Sequence, residues 1–146
     1  IHAVLLNHGG IRSIIPKGPV TSRTAYSVMP FENEIVVFAI KGSAVNEAID
    51  YLTKGTKAHP ISGLHIEIDA NNNLLNAKIN TEDIDPNMTY YVATSDYLYN
   101  GGDGMDFFKN NEGVYSLDYK IRNAIIDHFK KVDTINPVID DRFIRK

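Results

Sequence analysis

The run Ile35-Val36-Val37-Phe38-Ala39-Ile40 constrains this chain most. It is continuous in β-branched and apolar residues and too short for a typical helix. It is therefore expected as a strand buried on both faces. Lys41-Gly42 turns the chain, and Ser43 stands where the N-cap of a following helix is expected. Val45, Ala48, Ile49 and Leu52 recur at helical spacing as one apolar stripe, and Gly55 is placed to end the helix.

The other segments are read the same way. Ala3-Val4-Leu5-Leu6 is a short buried strand. Thr21 or Ser22 caps a short helix through Tyr26 and Val28, which Pro30 ends. Leu64, Ile66 and Ile68 alternate with His65, Glu67 and Asp69, the pattern of a strand with one wet face. Asn71-Asn72-Asn73 turns it into a hairpin whose second arm is Leu74 to Asn80. Tyr90 to Thr94 makes a further strand, and Met105 to Phe108 returns to the core. Ser116 is expected to cap a second helix, with Leu117, Ile121, Ala124, Ile125 and Phe129 on one face and His128 packed beside them. Pro137 to Phe143 reads as an extended terminal segment and edge strand. Strands outnumber helices and are partly hairpin-connected, so the expected class is α+β: a mixed sheet with packed helices in one domain, residues 1–146.

Composition then excludes several functions. The net charge of −3 offers no basic field for nucleic acid. No apolar run approaches the length needed to span a bilayer. With no cysteine there is neither a disulfide nor a thiolate metal site. The five histidines, His2, His8, His59, His65 and His128, have no metal-binding spacing. There is no Gly-x-Ser-x-Gly elbow and no phosphate-binding Walker loop. Gly101-Gly102-Asp103-Gly104-Met105-Asp106 matches one copy of a calcium-binding nonapeptide, but such repeats bind by stacking and a single copy is insufficient. Asn87-Met88-Thr89 is a glycosylation sequon. The chain opens on Ile1 with a strand almost at once, so a fragment or processed product is expected, with room for catalytic groups upstream; no signal peptide is seen.

Three stretches carry chemistry. Asn7-His8-Gly9-Gly10-Ile11-Arg12 follows the first strand. Its glycines allow close approach to the main chain, and Arg12 adds a planar charge suited to phosphate or carboxylate. The alternative is a plain strand-to-turn connection. Phe31, after Pro30 and before Glu32-Asn33, is either a core-edge ring or one presented to a ligand. In Tyr97-Leu98-Tyr99-Asn100-Gly101-Gly102-Asp103-Gly104, a glycine-rich turn presents one carboxylate. Asp103 either caps its own backbone or accepts hydrogen bonds from the two hydroxyls of a sugar diol. Two aromatic faces, an arginine and a diol-binding carboxylate together suit a nucleotide.

In order and approximate spacing, these three stretches resemble the signatures of the 5′-nucleotidase C-terminal domain. Ile35 to Leu52 and Ser62-Gly63-Leu64 extend the resemblance over nearly the whole chain. The resemblance implies a substrate-binding domain. The base would stack between Phe31 and Tyr97, Asp103 would hold the ribose hydroxyls and Arg12 the phosphate–ribose side. Asn7, Gly9 and Gly10 would line the base and backbone side, with Gly102 in the same turn as Asp103. It also implies a separate N-terminal metallophosphoesterase domain, in cis or on another chain, whose two divalent metal ions perform hydrolysis, and an extracytoplasmic location in the periplasm or at the cell surface. That metal domain, and the helix with an additional arginine that usually precedes the first motif, are missing here. His8 replaces a usual third glycine, and Tyr97 a usual phenylalanine.

The expected function is therefore nucleotide binding and substrate selection for a 5′-nucleotidase-type phosphohydrolase, with no cofactor and no catalytic group in this chain. One alternative is a stand-alone nucleoside or carbohydrate binding module without a hydrolase partner. Another is a structural interaction domain in which Phe31 and Tyr97 pack inward, away from Asp103.

Overall fold

The computed structural model describes residues 1–146. Two mixed sheets carry the architecture. The first contains β1 (Ala3–Leu5), β2 (Glu34–Lys41), β3 (Ile61–Ser62), β7 (Thr89–Ser95) and β8 (Gly113–Lys120), in the order β3-β1-β7-β2-β8. Only β1 and β7 run parallel. The second contains β4 (Leu64–Ile68), β5 (Leu74–Ile79), β6 (Glu82–Asp83) and β9 (Phe143–Arg145), in the order β6-β5-β4-β9. The class is α+β, as expected, and no helix is long and apolar enough to cross a membrane.

Strand β2 is buried because partners flank it on both edges. Phe38 stands opposite Val92 on one side and Val114 on the other. Its core-facing residues Val36, Phe38 and Ile40 join the helix α2 (Gly42–Lys54) through Val45, Ala48, Ile49 and Leu52. The same cluster takes in Leu64, Ile66, Ile68 and Ile79, so it links the two sheets. Met105, Phe107 and Phe108 enter it as expected, and the Phe38 and Phe108 rings meet edge-on with centroids 4.9 Å apart.

Helix α1 (Ser22–Val28) is capped by Thr21 through a reciprocal hydrogen-bonded box with Thr24. Ser43 does not cap α2. That helix begins one residue earlier, and its first amides are satisfied by loop carbonyls: Gly42 N–H donates to Met88 O at 2.9 Å and Ser43 N–H to Pro86 O at 3.0 Å. Gly42 is required there, since a Cβ would run into the Asp85 carbonyl oxygen.

Ser116 does not begin a helix either. It lies in β8, opposite Val36, and Leu117 is on that strand, 47% exposed. Between the pairs Val36↔Ser116 and Glu34↔Lys120 the strand carries extra residues, with Asp118 at φ 49°. This bulge breaks the period of two and hides the strand from a periodicity reading. Helix α4 (Ile121–Lys131) then starts at Ile121. Its His128 is exposed rather than packed, with its ring 6.5 Å from that of Phe129. At the terminus only Phe143–Arg145 forms an edge strand, parallel to β4; Val138 and Ile139 before it are unpaired and exposed.

Candidate functional site

Topology brings the three chemical stretches together. β1 and β7 are parallel, so their C-terminal ends share one edge of the first sheet. β2 runs against β7 with Ile35 opposite Ser95, which places the start of β2 at that same edge. The loop after β1, the loop before β2 and the turn after β7 therefore converge.

Each loop has a local reason for its shape. After β1, Asn7 enters a short 3-10 turn, His8–Gly10, closed by Gly10 N–H to Asn7 O at 3.1 Å and Ile11 N–H to His8 O at 3.0 Å. After β7, Ser95 Oγ accepts from Leu98 N–H at 3.1 Å and caps the one-turn helix α3 (Asp96–Tyr99). Gly101 at φ 90° then reverses the chain, and Asp103 itself takes left-handed geometry at φ 54°. Asp tolerates that region better than most residues.

Asp103 is the hub. Its Oδ2 accepts from Asn7 Nδ2 at 2.9 Å, and its Oδ1 from the Tyr97 hydroxyl at 2.9 Å. Its main-chain carbonyl accepts from the Tyr51 hydroxyl of α2 at 2.8 Å. Asp103 does not cap its own backbone; the carboxylate is aimed by neighbours on two other segments. A carboxylate has about four lone-pair sites. Two are used here, and the exposed side chain leaves one on each oxygen for a ligand. The bond to Asp103 pushes the Tyr97 hydroxyl above its ordinary range, because losing the proton would place a second negative charge beside the carboxylate.

The two rings are half exposed, Phe31 at 44% and Tyr97 at 45%. They form no pair with each other or with another ring. Tyr97 lies on the backbone of Gly102, where a Cβ would stand 2.5 Å from the ring. The Arg12 guanidinium carbon is 5.9 Å from the Phe31 ring centre, and its Nη1 reaches Gly9 O at 3.4 Å. Gly10 is buried, and a Cβ there would crowd the Asn7 amide oxygen at 3.1 Å. The arrangement in which Phe31 and Tyr97 pack inward, away from Asp103, is therefore not found. An open cleft of about 500 Å³ lies beside Tyr97, lined by Asn33, Asp96, Tyr97, Asn100, Gly101 and Gly102.

Four residues of this region escaped the sequence reading. Asn33 lines the cleft and donates to Asp96 Oδ1 at 2.8 Å. Its place two residues after Phe31 was the available signal. Tyr51 and His59 lie behind the turn. His59 Nδ1 accepts from His8 N–H at 3.2 Å, and burial pulls this imidazole below its ordinary pKa. Arg122 grips the Phe31 loop from α4. None of these three contacts leaves a sequence pattern, because each pairs residues more than 50 positions apart.

No group of three or more His, Cys, Asp or Glu side chains converges anywhere in the chain to hold a metal ion.

The family model of the 5′-nucleotidase C-terminal domain matches residues 2–110. An apyrase of Tabanus yao is 27% identical over 146 residues, covering 86% of this chain and 26% of the relative. The protein UshA of Escherichia coli is 31% identical over 138 residues, covering 88% of this chain and 24% of the relative. Among solved structures, a 5′-nucleotidase precursor from Thermus thermophilus superposes with a TM-score of 0.88 at 26% identity, over 99% of this chain and 31% of that one. The chain thus spans about a quarter of the length of these curated relatives.

Proposed function

This chain belongs to the 5′-nucleotidase C-terminal domain family, and we propose that within it the chain binds the nucleotide and selects the substrate of a 5′-nucleotidase-type phosphohydrolase. Family membership supports the class of reaction. The observation that carries the binding role is Asp103: a carboxylate held in a left-handed turn between Asn7 and Tyr97, with one free acceptor position on each oxygen.

The ribose diol donates to those two positions. The base lies between Phe31 and Tyr97, whose exposed faces each offer stacking worth about 1–3 kcal/mol per base. Arg12 stands beside Phe31 and takes the phosphate–ribose side, where its planar fork suits phosphate oxygens. Asn7, Gly9, Gly10 and Gly102 keep the walls low, so that the ligand approaches the main chain. By resemblance to the family, hydrolysis belongs to the metallophosphoesterase domain, in cis or on a separate chain. That domain's two divalent ions would activate the attacking water. The location we propose is extracytoplasmic, in the periplasm or at the cell surface, by resemblance to the family.

Calorimetric titration with adenosine and with its monophosphate tests binding, and a phosphate-release assay with divalent metal tests the division of labour. The expected result is heat with both ligands, more with the monophosphate, and no phosphate released. Release by the pure chain would overturn the division of labour. Absence of heat with both ligands would overturn the binding role.

A further inference from the structure

The loop that carries Phe31 is held from behind by α4, a helix outside the residues matched by the family model. Arg122, in its first turn, is only 4% exposed. Its guanidinium carbon lies 4.0 Å from the centre of the Tyr26 ring. Nη1 faces three successive carbonyl oxygens, those of Met29, Pro30 and Phe31, at 3.4, 3.2 and 3.3 Å. Nη2 pairs with Glu32, which Lys120 also contacts. The neighbouring Ile121 N–H donates to Asn33 O at 3.0 Å. Every residue from 29 to 33 thus has a polar atom tied to the junction of β8 and α4.

We propose that Arg122 is a positioning residue that sets the angle and height of the Phe31 ring as a base-stacking platform; this rests on the reading of Phe31 given above. The reasons are cost and geometry. A buried cation is expensive, and here Nε is buried without any partner. Fastening α4 to α1 would need no charge, since apolar packing does that without the desolvation penalty. What an apolar side chain cannot do is bend three consecutive carbonyls toward one point. That bend turns the backbone of residues 29–31 inward and leaves the Phe31 side chain outside, 44% exposed beside Arg12. Lysine cannot replace the fork, because it has neither a planar face for Tyr26 nor a second nitrogen for Glu32.

The test separates the base-dependent part of binding from the rest. 2-Aminopurine riboside reports stacking by fluorescence quenching, and the chain has no tryptophan to interfere. Ribose 5-phosphate reports the base-independent contacts. For Arg122→Met and Arg122→Lys, the expected result is a loss of quenching and about tenfold weaker nucleoside binding, with ribose 5-phosphate affinity unchanged within about twofold. In a Phe31→Ala background, Arg122→Met should weaken nucleoside binding no further, because its effect passes through the ring. Arg122→Lys keeps the charge and serves if the methionine variant fails to fold.

The proposal is overturned if both ligands weaken together, if the Arg122 and Phe31 effects multiply, or if the variants quench like wild type. A wild-type chain that binds ribose 5-phosphate but does not quench the probe would overturn the reading of Phe31 itself, and that outcome is distinct from the others.

Discussion

Replacing Asp103 by asparagine removes the charge and turns one acceptor into a donor, with almost no change in shape. The position sits at φ 54°, and asparagine tolerates that region as well as aspartate does, whereas alanine would add backbone strain. The amide oxygen can keep the bond from Asn7 Nδ2. The amide nitrogen then faces the Tyr97 hydroxyl, which must rotate to accept instead of donate. One of the two free acceptor positions disappears, and the bond that remains loses its charge assistance. Hydrogen bonds to charged groups contribute about 1.5–3 kcal/mol, and the solvent exposure of Asp103 favours the lower half of that range. The expected loss is about 2 kcal/mol in adenosine affinity, roughly 30-fold in Kd. 2′-Deoxyadenosine lacks one of the two donors and should lose less, so discrimination between the two nucleosides should shrink toward unity. Titration calorimetry of both ligands on both proteins measures this. A variant that melts like wild type and binds adenosine within about twofold of it would refute the diol assignment.

Other outcomes follow from the same geometry. Gly102→Ala would put a methyl 2.5 Å from the Tyr97 ring; the ring is half exposed and can move, so nucleoside binding should fall while thermal stability changes little. Gly42→Ala behaves oppositely. Its methyl meets the Asp85 main-chain oxygen, which cannot move cheaply, and overpacking of this kind costs about 1–3 kcal/mol, read as a lower denaturation midpoint. For His59, burial lowers the folded-state pKa, so the unfolded chain takes up the proton first as pH falls. Its contribution to stability is therefore unperturbed above the unfolded value of about 6.5 and declines as pH drops from there toward the folded value. Protonation of Nδ1 also removes the acceptor for His8 N–H, so the protection of the His8 amide against exchange, relative to its intrinsic rate, should fall as pH drops toward the folded value, and His59→Phe should flatten the dependence.

The parts of the fold that were legible are those in which a single run decides. Ile35 to Ile40 followed by the stripe Val45, Ala48, Ile49 and Leu52 specifies a buried strand and a packed helix almost regardless of context. The alternation of Leu64, Ile66 and Ile68 does the same for a one-sided strand. Strand β8 was not legible because its bulge at Asp118 breaks the period of two, and its apolar residues run into those of α4. Ser43 was misread because the helix already starts at Gly42, where the Gly42 and Ser43 amides are met by Met88 O and Pro86 O, partners that no local pattern reveals.

Within the site, Asn7, Tyr97, Gly102 and Asp103 were legible through the resemblance of their two stretches to the family signatures, and they lie against one another. Arg122, His59 and Tyr51 act through contacts made only when distant segments meet.

The most direct measurement is a residue-resolved amide NMR titration of the 146-residue chain with adenosine. The account predicts saturable shifts at His8 to Arg12, at Phe31 to Asn33 and at Tyr97 to Gly104, with the far end of α2 around Lys54 and Gly55 unmoved. Shifts confined to that far end, or none at millimolar ligand, would contradict the claim that these three loops form a nucleoside pocket.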